Sequence, residues 1–163
     1  MLINIPYNRP AVLDYAKSWA LGRNPKYYDF DAIGGDCTNF VSQCLYAGCK
    51  VMNYTPTFGW YYIDLNSRTA SWSGVPYIYN FLINNNGAGP FAVLSDENTI
   101  VPGDIIQLGD ENGNFYHSLV VTEINDGMIF VSAHTYDAYM KPLSEYYYSK
   151  IRFLHIAGIR KYS

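Results

Sequence analysis

Apolar residues in the first half of the chain recur at the three- and four-residue spacing of amphipathic helices. Helices are predicted on this basis over residues 9–21, 37–47 and 76–84. Pro10 suits the first turn of the first helix, and Asp36 is a suitable N-cap for the second. Gly48 falls where a glycine commonly ends a helix. Residues 22–35 and 49–74 show no clean period and indicate loops.

The second half of the chain changes to the short apolar and alternating runs that are typical of β-strands. Strands are predicted over residues 103–108, 115–124, 127–136 and 151–161. Between the second and third of these, the sequence Asn-Asp-Gly at 125–127 is a strong hairpin signal. The predicted fold class is therefore α+β, with N-terminal helices packed on a C-terminal antiparallel β-sheet. A length of 163 residues without repeat or linker predicts one domain over 1–163.

Charge and composition exclude several classes of partner. The net charge is −3 and no basic run is present, which argues against binding to nucleic acid or to an anionic membrane surface. No apolar run approaches the roughly 20 residues that cross a bilayer, so no membrane insertion is predicted. Residues 1–13 lack the pattern of a signal peptide, which predicts synthesis in the cytoplasm. The sequence predicts no particular oligomeric state.

Three cysteines lie close together, at positions 37, 44 and 49. On one helix, Cys37 and Cys44 would be about 10 Å apart along the axis, too far for a disulfide, and the spacing matches no zinc finger. All three are therefore predicted to be reduced. Cys37 falls on the first turn, where free N–H groups stabilise a thiolate, lower its pKa and can bind an oxyanion. The glycines at 34 and 35 would allow close backbone approach. The alternative is a small packing residue.

Two histidines fall near the same end of the predicted hairpin. His117 begins one strand on the face of Leu119 and Val121, and His134 lies near the end of the next strand. With Cys37 presented by a helix, a Cys–His–His arrangement is possible, although each histidine alone could be structural. The same three residues could instead bind zinc, but they lack a close ligand pair, so covalent catalysis is favoured. For His155, a core or surface role is predicted.

A series of motifs resembles a known family. The segments GGDCTNFVSQCLYAG, GWYY, SW, PGDIIQL, HSLVVT and HTYD follow one another as in the "putative amidase" domain family. This family is grouped with the NlpC-type and CHAP peptidoglycan hydrolases in the papain-like cysteine peptidase superfamily. The likeness runs from about Tyr7 to Arg160, and it implies a papain-like fold.

The resemblance also implies roles for individual residues. Cys37 would be the nucleophile, His117 the general base, and His134 the polar residue that orients this base. A side chain upstream of the cysteine would help to bind the oxyanion or to position the site. The candidates are Asn24, Tyr27, Tyr28 and Asp36, of which Asp36 is interpreted as a cap and positioning residue.

The implied reaction is amide hydrolysis through a thioester, with no cofactor and no metal. The implied substrate is peptidoglycan or another amide or peptide, reached at the cell wall after release by a non-classical route, as for a phage lysin, an autolysin or a toxin. Candidates for a substrate groove are Trp60, Tyr61, Tyr62 and Trp72, which could equally form a buried aromatic cluster. Alternative functions are an acyltransferase or deamidase using the same thioester, a toxin-like effector, and a non-catalytic binding module.

Overall fold

All four α-helices lie on one side of a large antiparallel sheet in the computed structural model, which describes residues 1–163. The helices are α1 (Arg9–Trp19), α2 (Cys37–Cys49), α3 (Ala70–Ser73) and α4 (Val75–Asn84). The predicted α+β class is thus confirmed, with helices preceding most of the strands. None of these helices has the length and apolar character that crossing a bilayer would require.

Seven strands form the main sheet, and two short strands form a separate ribbon. The strands are β1 (Leu2–Ile5), β2 (Tyr62–Asp64), β3 (Ser67–Arg68), β4 (Gly89–Ser95), β5 (Ile105–Gly109), β6 (Phe115–Asn125), β7 (Met128–Ala133), β8 (Ala138–Pro142) and β9 (Lys150–Tyr162). The order is β1-β9-β5-β6-β7-β8, and β4 also pairs with β9. The long strand β9 therefore organises the sheet, because it pairs with β1, β4 and β5.

The sheet separates two hydrophobic cores, and side chains alternate between them. Ile105 and Val120 are paired across β5 and β6 and pack into the larger core with the helices. Their neighbours Ile106 and Leu119 are also paired, and they pack into the smaller core on the opposite face. A residue's position along a strand therefore decides whether its side chain faces α2.

The boundary of α2 differs from the prediction at its C-terminal end. The helix continues through Gly48 to Cys49, and Lys50 adopts the left-handed conformation that ends it, with φ 57°. A Cβ at Gly48 would lie 2.5 Å from Val12 Cγ2. The glycine is therefore explained by the close approach of α1 to α2, and its predicted role as a helix terminator is wrong.

The predicted hairpin between β6 and β7 is confirmed. Asp126 and Gly127 both have positive φ, 51° and 76°, as a two-residue hairpin turn of type I′ requires. β7 is shorter than predicted and ends at Ala133, because Thr135 and Tyr136 take positive φ values of 62° and 59°. The strands β1, β2, β3, β4 and β8 were not predicted. β1 and β4 are paired with the distant strand β9, whereas β8 forms an irregular pairing with β7, which directly precedes it.

Candidate active site

The turn that precedes α2 packs against the turn that follows β7. Gly34 and Gly35 have φ values of 106° and 99°, which favour glycine. A Cβ at Gly35 would lie 3.2 Å from Thr135 Oγ1, and the Asp36 N–H donates to that oxygen at 3.1 Å. The close approach expected of these glycines is therefore confirmed at Gly35, and it fixes the start of α2 against the sheet.

Cys37 occupies the first turn of α2, as predicted, but its sulfur is largely covered. The residue is 7% exposed, and Sγ lies 3.8 Å from Thr38 Oγ1. Burial raises the pKa of Cys37, outweighing the backbone N–H of Ser118 and the Thr38 contacts, which lower it. The expected low pKa of Cys37 is thus wrong for this structure. Removal from water destabilises the thiolate by more than the nearby hydrogen-bond donors stabilise it.

A buried chain of polar side chains leads from Cys37 across the sheet. Thr38 Oγ1 lies 2.9 Å from Ser118 Oγ, which accepts a hydrogen bond from Gln107 Nε2 at 3.1 Å. The Gln107 amide also donates to the Val75 carbonyl at 2.9 Å and accepts from Arg152 Nε at 2.8 Å. Sequence reasoning missed these residues. The only signal was a pair of polar residues within the apolar strands β5 and β6.

His117 lies on the face of the sheet opposite α2. It pairs with Leu108, which packs into the smaller core, and its ring centre is 6.0 Å from that of Tyr146. Burial, together with the charge of Lys141, lowers the pKa of His117 to about 4, so the imidazole is neutral at pH 7. Its predicted position on the face of Leu119 is confirmed.

His134 faces the helices and is 1% exposed. Its Nδ1 contacts Asp36 Oδ2, its Nε2 lies 2.8 Å from the Trp19 carbonyl, and its ring stacks on Phe40 at 4.2 Å. Both ring nitrogens therefore face oxygen acceptors, and neither bonds to His117. The predicted contact between the two histidines is wrong, because they project from opposite faces of the sheet.

Asp36 is a fully buried junction for several elements. Its Oδ1 accepts hydrogen bonds from the Phe30 N–H and from Asn39 Nδ2, each at 2.8 Å, and its Oδ2 is hydrogen-bonded to Nδ1 of His134. Arg23 Nε lies 3.6 Å from Oδ2. Asp36 does occupy the N-cap position, but its side chain makes no capping hydrogen bond to α2. The predicted capping role of the Asp36 side chain is therefore wrong, and the side chain instead joins α2 to the preceding loop and to the turn after β7.

The other three positioning candidates make no hydrogen bond to the Cys37 side chain. Tyr27 stacks on Trp72, with ring centres 5.9 Å apart. Asn24 Nδ2 donates to the hydroxyl of Tyr15 on α1 at 3.1 Å. Tyr28 is 39% exposed, and its carbonyl accepts from Asn39 Nδ2 at 2.9 Å. Tyr28 therefore contacts the first turn of α2 directly through Asn39, whereas Asn24 is held against α1.

The proposed aromatic groove is largely a buried cluster. Trp60 and Trp72 are both 0% exposed, with ring centres 4.7 Å apart, while Tyr61 is half-buried and Tyr62 is buried. The indole N–H groups donate to Ser42 Oγ and Asn39 Oδ1 of α2. The groove prediction is wrong for both tryptophans, and the alternative of a buried cluster that braces an irregular segment is confirmed.

The cysteine and histidine side chains do not come together in a single site. Cys37, Cys44 and Cys49 are all free thiols, as predicted. No three or more His, Cys, Asp or Glu side chains form a group that could hold a metal ion. The zinc alternative on Cys37, His117 and His134 therefore fails on geometry. His155 takes a structural role, since its Nδ1 lies 2.8 Å from the buried Asp104.

Comparison with known proteins identifies the family. A family model described as "Putative amidase domain" matches residues 6–157. The chain belongs to this family. The "Uncharacterized protein YhbB" of Bacillus subtilis (strain 168) is 35% identical over 140 residues, which cover 83% of this chain and 43% of the relative. The chain thus spans less than half the length of that relative. No solved structure gives a significant match.

Membership of the amidase family indicates an amidase-like function. The matched residues, 6–157, include α2 with its first-turn cysteine, both strands of the β6–β7 hairpin and the turn after it. This part of the resemblance drawn from the sequence motifs is therefore confirmed.

The raised pKa of Cys37 predicts how its thiol reacts. Because only the thiolate is alkylated, iodoacetamide labelling of Cys37 should be slow at pH 7 and accelerate only at a pH above the range in which an ordinary cysteine ionises. Cys44, with 0% exposure, should stay unlabelled in the folded protein. Mass spectrometry of tryptic peptides over time measures both rates. Labelling of Cys37 that is as fast at pH 6 as at pH 9 would show an ionised thiol instead.

Proposed function

We propose that the protein is a cysteine-dependent amidohydrolase with Cys37 as the nucleophile and His117 as the general base. The observation that carries the proposal is the link between Cys37, on the first turn of α2, and the strand β6: Thr38 Oγ1 lies 3.8 Å from the Cys37 sulfur and 2.9 Å from Ser118 Oγ. Ser118 directly follows His117 in β6, so the backbone of the histidine lies next to this chain of contacts. The family supplies the amidase class.

The proposed reaction starts from a neutral thiol and a neutral imidazole. His117 takes the thiol proton as the sulfur attacks the substrate carbonyl, and N–H groups of the first turn of α2 stabilise the oxyanion. The protonated His117 then gives its proton to the departing amine, which leaves a thioester on Cys37. Water, activated by the neutral His117, hydrolyses the thioester and restores the thiol.

In the resting structure His117 faces away from Cys37, so the reaction requires the start of β6 to rearrange. Two features favour this. The β5–β6 register shifts near Phe115, and the pairing between β6 and β7 begins only at Val120. Residues 115–118 are therefore held by β5 on one side, with no paired strand on the other. We propose that substrate binding turns His117 toward the sulfur.

The relation to papain-like enzymes is part of the same proposal. A helix that carries the cysteine on its first turn packs against an antiparallel sheet, and a histidine lies at the start of a central strand. His134 lies directly after the end of the next strand, β7, and its contacts with Asp36 and Trp19 suit a residue that positions the start of α2. We propose this positioning role for His134 in place of a direct contact with the base.

The proposed substrate is peptidoglycan, and the proposed place of action is the cell wall. Support comes from the sequence resemblance to wall hydrolases. Digestion of purified peptidoglycan followed by mass spectrometry of the soluble products tests the proposal, because each cleaved amide leaves a new amine and a new carboxylate. An acyl adduct on Cys37 in the intact protein is expected during turnover. Products joined to an added amine would indicate acyl transfer, and an absence of products would reject the peptidoglycan substrate.

Replacing His117 by alanine is expected to lower kcat/KM by about 10²–10⁴-fold, the usual contribution of a general base. Since the pKa of His117 is about 4, the wild-type rate should be level above pH 5 and fall as the pH drops through 4, where the imidazole becomes protonated. Lys141 lowers this pKa, so Lys141→Gln should move the fall in rate to a higher pH. Full activity in His117→Ala would remove His117 from the mechanism.

A further inference from the structure

A cavity of about 530 Å³ opens between α3, α4 and the loop 53–60. It shares no lining residue with the surroundings of Cys37. Its volume is typical of small-ligand sites, which are mostly concave and apolar with a few placed polar groups. Its floor includes Phe81, which is 6% exposed, and its rim carries Phe58 and Tyr77.

The side chain of Phe58 is exposed to solvent on an ordered loop with a strained backbone. It is 83% exposed, and Thr57 before it has a φ of 67°, which is rare for a β-branched residue. The loop is nonetheless fixed, because Gly59 N–H donates to the Thr55 carbonyl at 2.8 Å and Ser71 Oγ donates to the Gly59 carbonyl at 2.6 Å. Strain of this kind is commonly kept at ligand sites, where it presents a side chain.

Tyr77 forms the second aromatic part of the rim, and the backbone of Gly74 lies beneath it. Tyr77 is 55% exposed, and a Cβ at Gly74 would lie 2.6 Å from its Cδ2 atom. The absence of a side chain at Gly74, the N-cap of α4, thus leaves room for the Tyr77 ring to lie over the start of this helix. Both exposed rings are therefore set in place by the local backbone.

The polar groups of the cavity are uncharged amides. Asn80 and Asn86 make no side-chain hydrogen bond within the protein, so each offers both a donor and an acceptor to a ligand. Asn85 is different, since it donates to the carbonyls of Ala88 and Pro90 and stabilises the turn into β4. No charged residue lines the cavity, which favours a neutral ligand.

We propose that this cavity binds a neutral saccharide, of the acetamido-sugar class. The faces of sugar rings carry C–H groups that pack on aromatic rings, and their hydroxyl and acetamido groups pair with amides. An extended peptide is less suited, because peptides of this kind usually pair with an open strand edge and the walls here are helix and loop. The inference does not depend on the proposed chemistry of Cys37, since binding can be measured without turnover.

Calorimetric titration with N,N′,N″-triacetylchitotriose tests the proposal. The wild type is expected to bind it, and Phe58→Ala should weaken binding about tenfold or more, because the variant lacks an aromatic ring on which a sugar face would pack. Tyr77→Ala should weaken it similarly. Tyr147→Ala is the matched control: Tyr147 is 96% exposed and lies outside the cavity, so its loss should change the affinity less than about twofold.

Asn80→Leu separates the amide from the fold, because it removes hydrogen bonding at an exposed helical position with little change in size. It should weaken saccharide binding while the circular dichroism spectrum stays unchanged. Failure of the wild type to bind the trisaccharide, or equal binding by Phe58→Ala, would overturn the proposal. Binding of trialanine without binding of the saccharide would also overturn it and assign the cavity to a peptide. Hydrolysis by the same samples reports separately on the function proposed for Cys37.

Discussion

Replacing Cys37 by alanine is expected to lower the rate of amide hydrolysis by at least about 10³-fold, because Cys37 is the proposed nucleophile and the nearby hydroxyls of Thr38 and Ser118 are hydrogen-bonded to each other. The fold should survive, since the change removes one buried sulfur and leaves the backbone contacts of α2 in place, at a cost of about 1 kcal/mol. Release of new amines from purified peptidoglycan measures the rate, and the circular dichroism spectrum checks the fold.

Cys49→Ala provides the matched control for this experiment. Cys49 lies at the other end of α2, is 3% exposed, and has a pKa raised by burial to about 12. Its thiol donates to the Val51 carbonyl at 3.4 Å, so it serves packing. Its replacement should leave the rate within about twofold. If Cys37→Ala kept a rate within tenfold of the wild type, covalent catalysis by Cys37 would be rejected.

Replacing Asp36 by alanine is expected to destabilise the fold by about 3–5 kcal/mol, as loss of one partner from a buried hydrogen-bonded pair does. The change would leave the N–H of Phe30, the amide of Asn39 and Nδ1 of His134 without their acceptor. Urea denaturation followed by fluorescence measures the free energy of unfolding.

Asp31→Ala is the matched control, because Asp31 binds the same arginine from the surface. Its Oδ2 lies 2.6 Å from Arg23 Nη2, and its side chain is 46% exposed, so its removal should cost no more than about 1 kcal/mol. A cost for Asp36→Ala that only matches this control would show that the junction before α2 contributes little to stability.

Local sequence was sufficient wherever neighbouring residues decide the conformation. The helix after Asp36, with Cys37 on its first turn, follows from apolar spacing, and the β6–β7 turn follows from Asp126 and Gly127. Both depend on backbone preferences and periodicity within a few residues. The end of α2 was misjudged, because Gly48 is required by the contact with Val12 on another helix, which no local pattern reveals.

The face of the sheet on which each histidine lies could not be predicted from the local sequence. Val120 pairs with Ser132 and lies on the helix side of the sheet; Ser118 and His134 contact the helices on that same side, whereas His117 projects to the other face. Since successive side chains alternate across a strand, two residues at the same end of a hairpin need not meet. The helices cover only one of the two faces, and the sequence did not indicate which.

By itself, the sequence determined the α+β class, the reduced cysteines, the presentation of Cys37 and the amidase family. Only the tertiary structure decided that Trp60 and Trp72 are core residues, that His134 binds Asp36, and that Cys37 is largely covered. These outcomes depend on which distant surfaces meet, as in the pairing of β9 with β1, β4 and β5. Burial and pKa follow from those contacts, because they are properties of the assembled environment and not of the neighbouring residues in the chain.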